Sequence, residues 1–316
     1  MKLANIIPLI IPTFLLVVLI GLLAVTTAGT PTVEATNVIH VAVGESIQGA
    51  VDSAVAGDVI QVAPGTFSQS VLIDGKSDLQ LRGANTLLQG SQVGIGLNIV
   101  DSDHILVQGL TVDGFEIGIV LENTYHSRIH NVETRNNDDP THLRPEASNH
   151  NGLDLIGSHN NLITNVFSHH NGHNGITLKG GSTNNTLRGN ITNDNGVNPD
   201  VTLGGPRGCG IQLNRDGNHN NIITANESLR NAFGILLSGR NSSNPNPPGA
   251  DDNTITQNRV HDNGRSGIDV RDKSSGNFIG QNNATGNAFL PNGTFDLRDQ
   301  GSLDNTWKNN QGNSNF

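Results

Sequence analysis

Two histidines occupy equivalent positions in a repeated triplet. The sequence His-Asn-Gly begins at His150 and again, 23 residues later, at His173. An imidazole exchanges protons near neutral pH and also binds transition metals. The spacing therefore has two interpretations, a pair of acid–base groups or the period of a repeating fold.

Charged residues that can complete a catalytic site lie close to these triplets. Asp154 follows the first triplet, Lys179 follows the second, and Arg207 lies in the next glycine-rich segment. An acid, two imidazoles and a cation can remove the proton next to a uronate carboxylate and stabilise the enolate. The predicted catalytic set is therefore His150, His173, Asp154, Lys179 and Arg207.

Carboxylates in the same region indicate an alternative role, the binding of a cation. Glu116, Glu122 and Asp154 fall on neighbouring copies of the repeat, and Ca²⁺ held by their oxygens would neutralise a substrate carboxylate. Zinc is disfavoured because only two histidines and one glutamate converge. A polar surface column without any ligand is a third interpretation.

The elements that position these residues follow from an internal repeat. A pattern of Gly, aliphatic, any residue, aliphatic recurs along the chain as GLNI from Gly96, GIVL from Gly118, GLDL from Gly152, GITL from Gly175, GIQL from Gly210, GILL from Gly234 and GIDV from Gly267. The unit has 22 to 24 residues, with insertions of about ten in every second copy. The triplet period is thus the period of the fold.

Asparagines recur in phase with this pattern. They are spaced by five residues in successive copies, as Asn185/Asn190/Asn195, Asn221/Asn226/Asn231, Asn253/Asn258/Asn263, Asn277/Asn282/Asn287 and Asn305/Asn310/Asn315. An apolar residue follows each first asparagine by two positions, as at Ile223 and Ile255. Identical asparagines at stacked turns can form hydrogen-bonded ladders.

These markers predict an all-β fold, a right-handed parallel β-helix of about ten coils. Three short strands joined by tight turns fit one unit, and stacking places each strand beside its copy in the next unit. The hand follows from the preference of parallel crossovers. Leucine-rich repeats have a similar period, but their L-x-x-L-x-L spacing is absent.

The N-terminal part of the repeat region predicts a cap. Residues 46–55, SIQGAVDSAV, place Ile47, Ala50, Val51 and Ala54 on one helical face that would cover the first coil. The run ESIQGAVDSAVAGDVIQVAPGTF resembles the entry segment of pectin-lyase-like right-handed β-helix proteins. The resemblance extends over residues 38 to 316, and it implies the fold rather than one activity, because that superfamily contains lyases, hydrolases, esterases, epimerases and non-enzymes.

The phase of the repeat predicts a groove. If both aliphatic residues point inward, the glycine and the variable residue point outward, and the glycine column forms a shallow trough. The insertions 138–149, 196–208 and 238–252 border this sheet and are expected to wall the groove. Asp269, between Arg265 and Arg271, is typical of a cross-strand ion-pair ladder on the same face.

Composition restricts the partners. The net charge of −10 and pI near 5.5 exclude a basic stripe for nucleic acid. Cys209 is the single cysteine, so the sequence contains no intramolecular disulfide. We expect a monomer with a polysaccharide partner and no nucleic-acid partner.

Residues 1–35 predict a targeting segment. Lys2 precedes a long uncharged apolar run, and small residues at Thr26–Ala28 and Val33–Ala35 offer cleavage sites. The alternative is an uncleaved membrane anchor, because the run is almost long enough to span a bilayer. Both interpretations place the domain 36–316 outside the cytoplasm, secreted, periplasmic or at the cell surface.

Three functions remain open at this point. The first is a polysaccharide lyase or C-5 epimerase that uses the groove, with calcium as the possible cofactor. The second is a non-catalytic surface or periplasmic β-helix that binds glycan or protein. The third is a copper-handling accessory role, as in the β-helical proteins of nitrous oxide reductase, although no Met- or Cys-rich Cu(I) site is evident.

Overall fold

The computed structural model of the protein describes residues 37–138, 150–196, 208–214, 217–239, 249–271, 274–290, 293, 295–301 and 304–316. The predicted targeting segment lies outside these residues, as does Arg207. Within the described ranges, no helix has the length and apolar character needed to cross a membrane.

A short helix begins the repeat region, as predicted. Helix α1 spans Ile47–Ser53, and the side chain of Ser46 caps it by accepting a hydrogen bond from the Gly49 backbone N–H. Ile47, Ala50 and Val51 are buried in the main core. Because the helix packs these residues against the first strands, it covers the end of the apolar core.

The remaining elements are short parallel strands in two sheets. An 18-stranded sheet has two arms, joined where β5 and β7 run through both, and a 9-stranded sheet forms the third side of each coil. The first arm contains β1 (Val38–Val41), β2 (Val59–Val62), β5 (Gln80–Gln89), β7 (Leu106–Asp113), β9 (Arg128–His130), β12 (Leu162–Thr164), β15 (Thr186–Arg188), β18 (Ile222–Thr224), β21 (Thr254–Thr256), β24 (Phe278–Gly280) and β27 (Thr306–Lys308). The second arm adds β3 (Gly65–Phe67), β10 (Glu133–Arg135), β13 (Phe167–His169), β16 (Ile191–Asn193), β19 (Glu227–Leu229), β22 (Arg259–His261) and β25 (Asn283–Thr285). The 9-stranded sheet contains β4 (Val71–Asp74), β6 (Ile95–Val100), β8 (Ile117–Glu122), β11 (Leu153–Ile156), β14 (Ile176–Lys179), β17 (Cys209–Leu213), β20 (Phe233–Leu237), β23 (Ser266–Val270) and β26 (Phe295–Asp299).

Strand register aligns equivalent residues of successive coils. Leu153 pairs with Ile119 on one side and with Ile176 on the other, and all three are fully buried. The same alignment in the first arm places Ile163 beside Leu187. Aliphatic rows therefore form one continuous core, and the predicted parallel β-helix is confirmed.

Asparagine ladders follow the turns between the two arms and the turns on either side. Asn226 donates through Nδ2 to Oδ1 of Asn258 at 3.0 Å and to the Leu187 carbonyl at 3.0 Å. Its own Oδ1 accepts from the backbone N–H and the side chain of Asn190, each at 2.9 Å. These bonds satisfy buried backbone groups where the strands stop, and they confirm the predicted ladders.

The glycine column does not form the predicted outer trough. A Cβ on Gly152 would lie 2.1 Å from Oγ of Ser168, a buried residue on the inner face of β13. A Cβ on Gly210 would likewise meet the Ser228 hydroxyl. The glycines are required because the chain enters the sheet at a corner where the opposite strand leaves no room for a side chain.

The insertions border the 9-stranded sheet. Two of them fall in the connections from β10 to β11 and from β16 to β17, at the edge where the chain enters this sheet. The third falls after β20, at the opposite edge. Their position along the chain agrees with the prediction, although most of their residues lie outside the described ranges.

Candidate functional site

The outer face of the 9-stranded sheet carries the variable residue of each repeat. Register places Asp154 beside Val120 and Thr177, and places Asp269 beside Leu236 and Arg298. Both aspartates are completely buried, although they point away from the apolar core. Sequence analysis predicted the outward direction but not the burial.

Asp154 forms an ion pair with Lys179. Nζ of Lys179 lies 2.8 Å from Oδ2 of Asp154, and Nδ2 of Asn151 donates to Oδ1 at 2.8 Å. Strand register explains the contact. Asp154 pairs with Thr177 on β14, and Lys179 lies two residues after Thr177 on the same strand. Burial raises the pKa of the Asp154 carboxyl, although the ion pair with Lys179 and the Asn151 hydrogen bond act in the opposite direction.

His150 meets two carboxylates. Its Nδ1 lies 3.2 Å from Oδ1 of Asp138, and its Nε2 lies 4.0 Å from Oε1 of Glu116. The imidazole is 9% exposed, whereas the Glu116 side chain is 47% exposed. The structure thus brings His150 and Glu116 together, as their shared column in the repeat predicts.

Asp138 is a site residue that sequence analysis missed. It lies at the start of the insertion that ends before His150, and its backbone N–H donates to the Phe115 carbonyl at 2.8 Å. The signal was the insertion itself, because a loop that leaves and re-enters one coil brings its two ends close together. Asp138 and His150 are those two ends.

His173 lies one coil beyond His150. Its backbone N–H donates to the His150 carbonyl at 2.8 Å, and its Nδ1 is 3.4 Å from Oδ1 of Asn151. The same Asn151 oxygen accepts from the Asn174 backbone N–H at 2.9 Å. Asn151 therefore connects His173 to Asp154, a role that repeat analysis did not assign to it.

The three carboxylates proposed for calcium are not gathered around one point. Asp154 is paired with Lys179, Glu116 approaches His150, and Glu122 occupies the row of Ile156 and Lys179 at the exposed end of β8. An ammonium group already occupies the position next to Asp154 that a cation would need. These residues therefore do not fit a calcium ion.

A second buried carboxyl lies four strands away. Oδ2 of Asp269 is 3.7 Å from Nε of Arg271 and 3.8 Å from Nη1 of Arg298, and Gln300 donates to Oδ1 at 2.9 Å. Burial raises the pKa of Asp269, against the hydrogen bond from Gln300 and the charge of Arg271. Asp269 thus pairs with Arg271, two residues further along the chain, and with Arg298 on the neighbouring strand, a residue that the sequence did not indicate.

An apolar cluster separates the two carboxyl groups. Cys209, Ala232, Phe233 and Leu236 pack together outside the main core, and the guanidinium of Arg271 lies 5.1 Å from the centre of the Phe233 ring. Burial raises the pKa of the Cys209 thiol to about 12. The face therefore has a polar, titratable end near His150 and an apolar centre.

The family of the chain follows from comparison with known sequences. The sequence profile described as "Right handed beta helix region" matches residues 118–311, more than half of the chain. The chain belongs to this family. The match also confirms the predicted right hand of the coil and the resemblance to pectin-lyase-like proteins.

Solved structures with the same fold include enzymes that act on polysaccharides. An alginate lyase from Paenibacillus sp. str. FPU-7 is 18% identical, with a TM-score of 0.52, over 89% of this chain and 100% of that one. The pectate lyase Pel9A is 15% identical, with a TM-score of 0.57, over 87% and 78%. The A-module of the mannuronan C-5 epimerase AlgE4 from Azotobacter vinelandii is 14% identical, with a TM-score of 0.58, over 84% and 90%.

At these identities the likeness shows the shared fold alone. No curated protein sequence matches the chain. The function must therefore be argued from the site.

Proposed function

We propose that the chain acts on an acidic polysaccharide, as a lyase or C-5 epimerase, along the outer face of the 9-stranded sheet. The observation that carries this proposal is the concentration of buried titratable groups on that face, outside the core. Asp154 is fully buried and paired with the partly exposed Lys179, and His150 lies between Asp138 and Glu116. Buried charges contribute little to stability, and strongly perturbed carboxyl groups are typical of functional sites.

The chemistry assigned to this site is proton transfer at a carbon next to a carboxylate. His150 or His173 takes the C5 proton of a uronate, and the electron pair moves into the carboxylate to give an enolate. Lys179, with Arg207 as the further predicted cation, stabilises the enolate charge. In a lyase, the C4 oxygen then leaves with the proton that the imidazolium holds, which gives an unsaturated sugar. In a C-5 epimerase, a proton from solvent returns instead to the opposite face of C5, which gives the epimer.

Two further features support this proposal. Alginate and pectate lyases and a mannuronan epimerase share the fold, which is an argument by analogy. The apolar N-terminal segment supports export to a compartment where such polymers occur.

Incubation with alginates, pectates and glycosaminoglycans tests the proposal. We expect either new ultraviolet absorbance from unsaturated uronates or a changed epimer ratio in proton NMR spectra. His173→Ala and His150→Gln should lower either signal by about 100-fold. His219→Asn, an exposed histidine elsewhere on the surface, is the matched control and should leave it unchanged. Absence of both signals across the panel would overturn the enzymatic proposal.

A non-catalytic glycan-binding role is the second candidate, and the local charge favours it. With neutral histidines, Glu116, Asp138 and Asp154 carry three negative charges against the one positive charge of Lys179. The net charge of −2 on these four groups repels a polyanion. Binding to neutral glycans on an array, without turnover and without sensitivity to single substitutions in the site, would establish this role instead.

A further inference from the structure

A second group of ligand-type side chains lies on the turn that leads from the 9-stranded sheet to the first arm. Asp103 is hydrogen-bonded by two imidazoles, with His104 Nδ1 at 2.8 Å from Oδ2 and His126 Nδ1 at 2.9 Å from Oδ1. The two rings stack with their centres 5.1 Å apart. The cluster spans two adjacent coils, since His126 follows His104 by 22 residues.

The backbone holds these residues rigidly. The His104 N–H donates to the Tyr125 carbonyl at 3.1 Å, and the Tyr125 N–H donates to the Ser102 carbonyl at 2.9 Å. These bonds fix the spacing between the coils, so the two imidazoles remain neighbours. A change of ligand at Asp103, His104 and His126 therefore needs only side-chain rotation, without movement of the backbone.

The fold does not require histidine at these two positions. Both have left-handed backbone conformations, with φ of 54° at His104 and 48° at His126. Asparagine, which tolerates this conformation well, occupies the equivalent turn of three later coils, at Asn160, Asn184 and Asn220. The conformation explains the turn, and the imidazoles need a separate explanation.

The donor atoms converge as metal ligands do. One ring nitrogen from each histidine and one oxygen of Asp103 all lie within 4.8 Å of one another. Zinc binds imidazole nitrogen and carboxylate oxygen at about 2.0–2.2 Å, so small rotations of these exposed side chains suffice to surround an ion. Calcium is disfavoured because it takes six to eight oxygen ligands.

We propose that Asp103, His104 and His126 form a binding site for a divalent transition-metal ion of the Zn²⁺ class. The ion joins two adjacent coils on the surface, with water in the remaining coordination position. Binding moves each neutral imidazole to the tautomer protonated at Nε2, so that the Nδ1 lone pair reaches the metal. The site shares no residue with the proposed catalytic face, so it does not depend on the proposed function.

Equilibrium dialysis of the tag-free full chain against ZnCl₂, after treatment with EDTA, tests this inference. We expect one strongly bound zinc per chain. His104→Asn, His126→Asn and Asp103→Asn should each weaken binding by at least about tenfold. Asparagine is chosen at positions 104 and 126 because the equivalent positions of three later coils already hold it, and Asp103→Asn retains the shape of the side chain.

The control and a second readout separate metal binding from a structural effect. His219 is exposed on the same turn of a later coil and is hydrogen-bonded by Asn220 rather than by a carboxylate. His219→Asn should therefore retain zinc. Nitrogen-15 NMR of the histidine rings should show two imidazoles converting to the Nε2–H tautomer when zinc is added.

Two results would overturn the inference. One is the absence of stoichiometric zinc in the wild-type protein. The other is its retention at unchanged affinity in the His104→Asn/His126→Asn double variant. The polysaccharide assay described above is run without zinc. A negative result in that assay would therefore count against the proposed catalytic face and not against the zinc site.

Discussion

The Lys179 ammonium lies 2.8 Å from a carboxylate oxygen of Asp154, and the Asp154 side chain is completely buried. This contact joins two neighbouring strands on the outer face of the 9-stranded sheet. It therefore places a charge pair where a sheet face usually meets water.

Removing the cation should destabilise the protein in a pH-dependent way. The raised pKa of Asp154 means that the folded chain holds this proton more tightly than the unfolded chain does, so the contribution of Asp154 to stability is greatest below its ordinary pKa of 3.8 and falls as pH rises. Near neutral pH, the Lys179 ammonium stabilises the ionised Asp154 carboxylate, and Lys179→Met removes that stabilisation. We expect a decrease of about 3 kcal/mol in the free energy of unfolding near neutral pH, and a smaller decrease at about pH 4.

Urea denaturation at both pH values measures this effect. Lys308→Met, at an exposed position on β27, is the control and should change stability by less than about 0.5 kcal/mol. An equal loss for Lys179→Met at both pH values would show that Asp154 ionisation is not involved.

Asn226, in the middle of an asparagine ladder, should contribute strongly to the stability of the fold. Asn226→Ala leaves the Asn190 donors and the Leu187 carbonyl without their partners inside the coil. We expect a loss of about 2–4 kcal/mol, since each unsatisfied buried group costs about 1–3 kcal/mol. The exposed Asn283→Ala should have little effect in the same thermal unfolding measurement. Similar Tm values for the two variants would contradict a stabilising role of the ladder.

Gly152 should tolerate no side chain. A Cβ there would lie 2.1 Å from Ser168 Oγ and 2.7 Å from Asn171 Nδ2, so Gly152→Ala must displace a buried corner. We expect destabilisation by about 2–3 kcal/mol. Gly49→Ala in α1 is the matched control, because its Cβ has ordinary contacts at 3.5 Å, and it should stabilise slightly. Calorimetry that ranks the two variants in the reverse order would show that the corner is not tightly packed.

Cys209 should be chemically inert in the folded protein. Its thiol is buried and its pKa is raised to about 12, so the reactive thiolate is scarce at neutral pH. A chromogenic disulfide reagent should modify it only after denaturation. Rapid modification of the native protein would mean that the face around Phe233 opens readily.

Asp138 should act as a positioning residue for His150, if that histidine transfers protons. Asp138→Asn keeps the shape of the side chain but removes the charge 3.2 Å from Nδ1. We expect kcat to fall by about tenfold with little change in KM. A change in KM alone would assign Asp138 to substrate binding.

The repeat in the sequence was sufficient to predict the fold. Glycine, aliphatic and asparagine positions recur at a fixed phase, and only stacked parallel strands satisfy all three, because each row needs the same contact in every coil. The same phase placed His150 next to Glu116 and Asp154 within reach of Lys179. It also predicted that the insertions connect to the edges of one sheet.

Only the tertiary structure decided which side chains meet and which are covered. The phase assigns a residue to a row, but it does not show that the corner glycines face Ser168 and Ser228 rather than solvent. It likewise does not reveal the contact of Asp138 with His150, which depends on how the insertion closes. His104 and His126 share the period of the repeat, but the period does not show that their ligand atoms converge with that of Asp103. The three residues converge because the spacing between strands brings adjacent coils together, and that spacing is a property of the folded stack.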